Sequence, residues 1–222
     1  MRPSEKDYLN RLINILFERK FDELSSKYLK GRLIDIGCGE KPYKDMVSTY
    51  VDEHVGVDHH DTFHGKTNID LFGTAYNIPV ESNSFDSAIC TAVLEHLEEP
   101  ESAIGECYRV LKEGGFAIYS VPFIWPLHEE PRDFFRYSKY GLKHLFEKRG
   151  FKVIEIMPLS GFVVTFVQLH LYLIKGKFDK GIIKRLRLIK FYSFICTKFA
   201  LFLNRYDHSK QFTWMYTIVA QK

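Results

Sequence analysis

A glycine bend that follows an apolar run is the first place where this sequence could do chemistry. Residues 33–39 read LIDIGCG, and glycines directly after such a run let the chain turn sharply and let a ligand approach the backbone. Asp35 precedes the bend, and a second acid, Asp58, ends the next apolar run. A carboxylate at residue 35 would repel a diphosphate but suits a cationic amino-acid group, and Asp58 can accept both hydroxyls of a ribose.

The residues after the bend argue against a dinucleotide. A dinucleotide-binding turn carries a third glycine, in the pattern GxGxxG, and places a pyrophosphate at the start of a helix. Here Gly39 is followed by Glu40, Lys41 and Pro42. The pattern therefore favours a positively charged nucleoside over a ligand such as NAD.

A second group of polar residues follows the fifth predicted strand. Residues 121–137 read VPFIWPLHEEPRDFFRY, and we expect them at the carboxyl edge of the sheet, where ligands bind in open α/β folds. His128 suits a general base, Asp133 can orient it or bind a hydroxyl, and Arg136 can clamp a carboxylate or a phosphate. The same residues also fit a structural loop, in which Arg136 pairs with Asp133 and His128 caps the turn.

The elements that must position these residues alternate between strand and helix. The expected strands cover residues 32–36, 54–58, 67–70, 85–90, 116–121, 151–157 and 213–220, with a turn at 114–115. Helices are expected over residues 5–29 with a break near Lys20, from Pro42 onward, and over 100–111, 138–149, 162–175 and 182–203. This alternation predicts an α/β fold: a Rossmann-like, doubly wound, mostly parallel seven-stranded sheet in three α/β/α layers, with a helical insertion before the last strand.

From about residue 31 to residue 121 the sequence resembles the class I S-adenosylmethionine (SAM)-dependent methyltransferases. Beyond the glycine bend, the shared motifs are GTA at 73–75 with IP at 78–79, VLEH at 93–96, and RVLK at 109–112 before two glycines. Thr74 stands where the family has an acid, so only a backbone or hydroxyl contact to adenine carries over. Glu113 replaces the family's usual proline.

The resemblance implies a cofactor and a site for it. SAM would be the methyl donor, and S-adenosylhomocysteine would be the product. The residues expected to contact SAM are Asp35, Gly37, Cys38 and Gly39 at the methionine end, Asp58 with His59 at the ribose, Thr74 and Ala75 at the adenine, and Thr91 beside the methionine moiety.

The neighbours Glu95 and His96 raise the question of a metal. Related quinone-precursor methyltransferases carry Glu-x-x-Glu-His, which gives a divalent cation a cluster of ligands. Ala92 occupies the first position here, and two remaining ligands make a poor site. We therefore expect no metal, and we expect this pair to line the pocket at the start of a helix.

The chain is expected to divide into an N-terminal helical cap (1–30), a SAM-binding domain (31–159 with 212–222) and a helical insertion (160–211) that shapes the acceptor site. Residues 182–203 mix apolar side chains with lysines and arginines. A basic amphipathic helix of this kind can lie on an anionic membrane surface, cover the acceptor pocket or form a homodimer face.

Composition limits the cellular setting and the partners. The net charge is only +3, and the basic residues cluster with apolar ones, so no nucleic-acid partner is expected. Four cysteines without a CxxC pair indicate reduced thiols and a cytoplasmic protein, with peripheral membrane contact left open. We find no signal peptide and no apolar run of the roughly 20 residues that a spanning helix needs.

The sequence thus predicts a methyltransferase that moves a methyl group to an oxygen or nitrogen of a small or lipid- or glycan-linked acceptor. Two alternatives stay open at this point. One is an NAD-type oxidoreductase on a related sheet, which the missing third glycine disfavours. The other is a non-catalytic partner module with a SAM-binding fold, which the intact pattern of acids and glycines disfavours.

Overall fold

A single seven-stranded sheet organises the computed structural model, which describes residues 3–62, 65–179 and 187–222. The strand order is β3-β2-β1-β4-β5-β7-β6. The strands are β1 (Arg32–Ile36), β2 (Glu53–Asp58), β3 (Leu71–Phe72), β4 (Phe85–Thr91), β5 (Leu111–Pro122), β6 (Lys152–Pro158) and β7 (Met215–Gln221). β1 to β5 pair in parallel and β7 runs antiparallel to β5, which confirms the predicted mostly parallel α/β fold.

The sheet order creates the crevice that ligands use. β1 lies between β2 and β4, so the chain leaves β1 toward one edge of the sheet and later returns to its other side. Ligands of open α/β sheets bind at such a switch point, beyond the carboxyl ends of the strands. β1 and β4 are buried almost along their whole length, as expected for parallel strands covered on both faces.

The helices are α1 (Pro3–Lys6), α2 (Arg11–Tyr28), α3 (Lys44–Val47), α4 (Pro100–Val110), α5 (Lys139–Lys148), α6 (Phe162–Phe178) and α7 (Leu188–Leu203), with a 3₁₀ turn at Leu94–His96. α4 has proline in its first turn, where the missing N–H costs nothing. Ser138 caps α5 by accepting a hydrogen bond from the Gly141 N–H. The helix expected to begin at Pro42 starts two residues later, at Lys44.

The predicted break near Lys20 is wrong, because α2 runs through that position without interruption. The chain breaks earlier, between α1 and α2. There the Asp7 carboxylate accepts the backbone N–H groups of Leu9 and Asn10 at 2.9 and 3.3 Å. A side chain that captures backbone donors in this way competes with the helical hydrogen bonds and ends the helix.

The structure differs from the sequence-based expectation at one predicted strand and at one predicted turn. Residues 67–70 are not a strand: the Ile69 N–H bonds back to Lys66, and the Asp70 carboxylate accepts the Gly56 N–H at 2.6 Å, so β3 begins only at Leu71. The turn expected at 114–115 lies inside β5 instead. Gly114 adopts a φ of +75° there, and the register between β4 and β5 shifts at this point.

The chain divides into two compact units. One comprises Asp22–Met157 with Met215–Lys222 and contains most of the sheet. The other, which we call the helical unit, comprises Met1–Phe21 with Pro158–Trp214 and contains α6 and α7. α6 is longer than predicted, and the first five residues of the predicted 182–203 helix lie outside the described residues.

Helix α7 of the helical unit buries small polar side chains and exposes large apolar ones. α7 buries Ile189, Ser193, Thr197 and Ala200, whereas most of its large apolar side chains are exposed. Ser193 donates a hydrogen bond to the Tyr8 carbonyl, which satisfies one of these buried hydroxyls. Among the residues that the structure describes, no helix combines the length and apolar character needed to cross a bilayer.

Candidate functional site

A cavity of about 650 Å³ opens at the carboxyl ends of β1, β2 and β4. Eight of the nine residues predicted to bind the cofactor line this cavity: Gly37, Cys38, Gly39, Asp58, His59, Thr74, Ala75 and Thr91. They come from four separate segments of the sequence. The fold therefore brings the predicted cofactor residues together at one edge of the sheet.

The glycine bend owes its shape to Asp58. Gly37 and Gly39 have φ values of +71° and +47°, in the left-handed region that glycine adopts without strain. The Asp58 carboxylate accepts the Gly39 N–H at 2.8 Å through Oδ2 and the His59 N–H at 2.8 Å through Oδ1. Each oxygen keeps a second lone pair, so the buried carboxylate can still accept ligand hydroxyls.

Asp35 is the exception among the predicted cofactor residues. Its buried carboxylate does not line the cavity, and its Oδ2 lies 3.0 Å from Nε2 of His54 on the neighbouring strand. The pairing register of β1 and β2 places these two side chains close together. Asp35 is therefore paired with His54 just before the bend, and its direct contact to the cofactor stays a prediction.

The loop after β5 is held by one arginine. Arg136 donates to both carboxylate oxygens of Asp133, at 2.6 and 2.7 Å, and also to the carbonyls of Trp125, Pro126 and Phe135. The Arg136 guanidinium lowers the pKa of Asp133 to about 2. Arg136 is therefore fully engaged within the loop and cannot also clamp an acceptor, so this arrangement matches the structural alternative for the Arg136–Asp133 pair.

The same loop brings His128 to the turn at residues 94–96. The Phe134 and Phe135 N–H groups donate to the Glu95 carbonyl, and the Tyr137 hydroxyl donates to the Leu94 carbonyl. His128 Nε2 then lies 4.0 Å from Oε1 of Glu95. His128 does not itself line the cavity, but it forms a cluster with a residue that does.

That residue is His96, whose ring centre lies 4.9 Å from the ring centre of His128. His96 Nε2 is also 4.0 Å from Oε1 of Glu95. Burial raises the pKa of the Glu95 carboxyl to about 8 and lowers the pKa of His128. We refer to Glu95, His96 and His128 as the Glu–His–His cluster.

Sequence reasoning missed several residues that complete the cavity wall near this cluster. Glu129, Arg132 and Phe134 line the cavity alongside His96, and the first two are charged. The Arg132 side chain has no hydrogen-bond or ion-pair partner within the described part of the chain. These residues belong to the same segment, 121–137, as His128. Glu129 has a φ of +52°, and the sequence alone does not predict such a bend of the backbone.

The chain is similar in sequence to known methyltransferases. A sequence profile described as a methyltransferase domain matches residues 34–119. A probable S-adenosylmethionine-dependent methyltransferase of Mycolicibacterium smegmatis is 25% identical over 69% of this chain and 63% of its own length. An O-methyltransferase of Aspergillus nomiae is 27% identical, covering 67% of this chain and 77% of that protein.

The fold has a solved counterpart as well. A SAM-dependent methyltransferase from Archaeoglobus fulgidus superimposes with a TM-score of 0.59 at 18% identity, over 95% of this chain and 94% of that one. The chain therefore contains a methyltransferase domain over residues 34–119, and its similarity to SAM-dependent methyltransferases supports SAM as the cofactor. The family resemblance and the cofactor prediction are both confirmed. The chain spans 63% of the length of the M. smegmatis relative.

Replacing Asp58 tests the geometry of the bend. Asp58→Ala removes the acceptor of the Gly39 and His59 N–H groups, and we expect SAM affinity to fall by roughly a hundredfold, in line with hydrogen bonds to a charged group. Isothermal titration with S-adenosylhomocysteine measures the loss. Asp45→Asn, on the exposed surface of α3, serves as the matched control. Unchanged affinity in Asp58→Ala would mean that this carboxylate does not organise the site.

Proposed function

We propose that this protein transfers the methyl group of SAM to an oxygen atom of a small or lipid- or glycan-linked acceptor. The observation that carries the proposal is the shared cavity, whose wall includes both the predicted SAM residues and His96 of the Glu–His–His cluster. SAM supplies a methyl group bound to a positively charged sulfur, and transfer would break this C–S bond and leave S-adenosylhomocysteine. Forming the O–C bond requires the acceptor hydroxyl to lose its proton, so the enzyme needs a group that promotes this loss.

The two histidines present nitrogen lone pairs for this purpose. Nδ1 of His96 lies 2.6 Å from the Arg132 carbonyl, and Nδ1 of His128 lies 3.1 Å from the Pro126 carbonyl. A carbonyl only accepts hydrogen bonds, so in the neutral His96 ring Nδ1 carries the proton and Nε2 carries the lone pair. In His128 the 3.1 Å contact to the Pro126 carbonyl favours the same tautomer over the longer 3.5 Å contact between Nδ1 and Arg136 Nη2. His128 is thereby prepared to take a proton at Nε2, as the sequence suggested.

Oxygen is favoured over nitrogen as the acceptor atom for a chemical reason. An amine attacks through its own lone pair, whereas a hydroxyl gains nucleophilicity by losing its proton, which is what a neutral imidazole promotes. The similarity to the A. nomiae O-methyltransferase supports the same choice. Asp133 contributes by fixing the loop: it accepts the His128 backbone N–H at 2.9 Å.

We assign to Arg132 the binding of an acidic acceptor group that the sequence suggested for Arg136. It lines the cavity and has no competing partner among the described residues, whereas Arg136 is saturated by the loop. A guanidinium at a cavity wall binds carboxylates and phosphates well. We therefore expect an acceptor with an acidic group, such as the phosphate of a lipid-linked or glycan-linked molecule.

The helical unit carries a surface suited to contact with a membrane, where a lipid-linked acceptor would be found. The exposed apolar side chains of α7 are Leu188, Phe191, Phe194, Ile195, Phe199 and Phe202. Arg187, Lys190 and Lys198 lie among them, and no acidic residue occurs in α7. Aromatic side chains with neighbouring basic ones match an anionic bilayer surface. We propose that this face binds the headgroup region of anionic membranes.

The role of His128 can be tested with two substitutions. We expect His128→Gln and His128→Ala to lower turnover by about a hundredfold or more, since general-base catalysis contributes on that scale. SAM affinity should stay unchanged, because His128 does not line the cofactor cavity. His144→Gln, on the exposed side of α5, is the control. Full turnover in both His128 variants would exclude this residue from the reaction.

Arg132→Gln tests the acidic-acceptor proposal. With a panel of hydroxylated lipids and glycans in phosphorylated and unphosphorylated forms, the native protein should prefer the phosphorylated members. The variant should lose about tenfold or more in kcat/KM on those members only, since a charge-assisted hydrogen bond contributes that much. Lys143→Gln removes an exposed charge from α5 and should change nothing. An equal loss on both forms would contradict a specific role in binding phosphate.

Vesicle sedimentation tests the membrane surface. The protein should bind phosphatidylglycerol-containing vesicles at low salt and release them as salt rises, because exposed charges are screened. Phe191→Ser with Phe199→Ser should reduce binding, and Lys190→Gln should reduce it for anionic vesicles only. No binding at low salt, or a concentration-dependent dimer that the double serine variant abolishes, would overturn the proposal.

A further inference from the structure

The Glu–His–His cluster contains a carboxyl group that the described residues leave unsatisfied. Both oxygens of Glu95 are buried, and neither has a hydrogen-bond partner within the described residues. A buried polar atom without a partner costs free energy, typically about 1–3 kcal/mol and more for a charged group. An unsatisfied carboxyl group beside two imidazole lone pairs therefore calls for a ligand that all three can share, and a cation would favour its ionised form.

We propose that Glu95, His96 and His128 bind a divalent transition-metal ion through one carboxylate oxygen and the two Nε2 atoms. The sequence offered only Glu95 and His96, and it predicted no metal because Ala92 lacks a ligand atom. The third ligand comes from the loop after β5, more than thirty positions further along the chain. Three ligand atoms from these residues lie within 4.8 Å of one another.

The orientation of both histidines fits metal binding. A histidine that ligates a metal through one nitrogen usually donates its other ring N–H to a carbonyl or carboxylate, which fixes the ring. Nδ1 of His96 donates to the Arg132 carbonyl, and Nδ1 of His128 donates to the Pro126 carbonyl. Each Nε2 atom lies 4.0 Å from Oε1 of Glu95, so the two nitrogens and this oxygen are close enough to share an ion.

The separations are compatible with an ion after a small contraction. Ligand atoms about 2.1 Å from a common ion lie about 3.0–3.4 Å apart in tetrahedral or octahedral geometry, so each atom must move by about 1 Å or less. Two imidazoles and one carboxylate select zinc or iron(II) over magnesium or calcium, which prefer ligand sets made of oxygen alone.

The position of the cluster gives the ion access to the acceptor. His96 lines the cavity, and Glu129, whose Oε2 lies 3.9 Å from His96 Nε2, lines it too. Three protein ligands leave a coordination position open, as in catalytic metal sites. This inference rests on the proposed function and deepens it: an acceptor hydroxyl bound to the ion would lose its proton more readily, and His128 would act as a ligand rather than as the base.

Metal titration of the full chain tests the proposal without any acceptor. Protein freed of metal by a chelator should bind one equivalent of Zn²⁺ in isothermal titration. It should also bind one equivalent of Co²⁺, with the visible absorption bands of a low-symmetry nitrogen–oxygen site. Mg²⁺ should give no comparable heat. His128→Asn and Glu95→Gln should each weaken Zn²⁺ binding by roughly a hundredfold, because each removes a direct ligand.

Matched controls separate this site from surface histidines. His144→Asn and Glu147→Gln lie on exposed positions of α5 and should leave Zn²⁺ affinity unchanged. Binding of S-adenosylhomocysteine by each variant shows that it is folded. Failure to bind Zn²⁺ stoichiometrically, or equal affinity in His128→Asn, would overturn the metal site. If methyl transfer requires His128 but no metal, the metal site is rejected and the proposal that His128 is the base stands. If the protein binds metal but transfers no methyl group, only the proposed function is rejected.

Discussion

The hydrogen bonds that the Asp58 carboxylate receives from Gly39 and His59 are the constraint on which the rest of the site depends. They join the bend after β1 to the end of β2. Because the carboxylate is buried, water competes little for these bonds, and charge-assisted bonds in such surroundings are strong. These bonds join protein atoms only, so they hold the bend without a contribution from the cofactor.

The acceptor side is organised by a second polar network, which has a different character. Arg136 and Asp133 satisfy each other and the surrounding carbonyls, so they stabilise the loop and leave the chemistry to their neighbours. Glu95 shows the opposite behaviour, since its buried carboxyl group has no hydrogen-bond partner in the part of the chain that the structure describes. Retaining such a group is costly, and costs of this kind are found where a site must bind something.

Much of the sheet and of the cofactor site could be predicted because both depend on local patterns. The bend at residues 37–39 and the acid at residue 58 follow short apolar strands, and strand ends of a parallel sheet meet at one edge. Asp35 shows the limit of that reasoning. The sequence shows that an acid precedes the bend, but the strand pairing that turns it toward His54 is a tertiary property.

The acceptor site was harder to predict because it depends on the path of a loop. The approach of His128 to Glu95 requires the backbone bonds that Phe134 and Phe135 make to the Glu95 carbonyl, and no spacing rule encodes those. Because the path of the loop decides which arginine lines the cavity, the sequence alone could not distinguish the roles of Arg132 and Arg136. In the helical unit, the pattern of α7 predicts an amphipathic helix, but only the structure shows that Ser193 and Thr197 are buried while the phenylalanines are exposed.

The most direct test of the account is a calorimetric comparison of two ligands on the native protein. We predict that S-adenosylhomocysteine binds with one-to-one stoichiometry and that NAD⁺ gives no heat, because the bend has no third glycine to admit a pyrophosphate. Binding of NAD⁺ in the absence of any heat from S-adenosylhomocysteine would contradict the account.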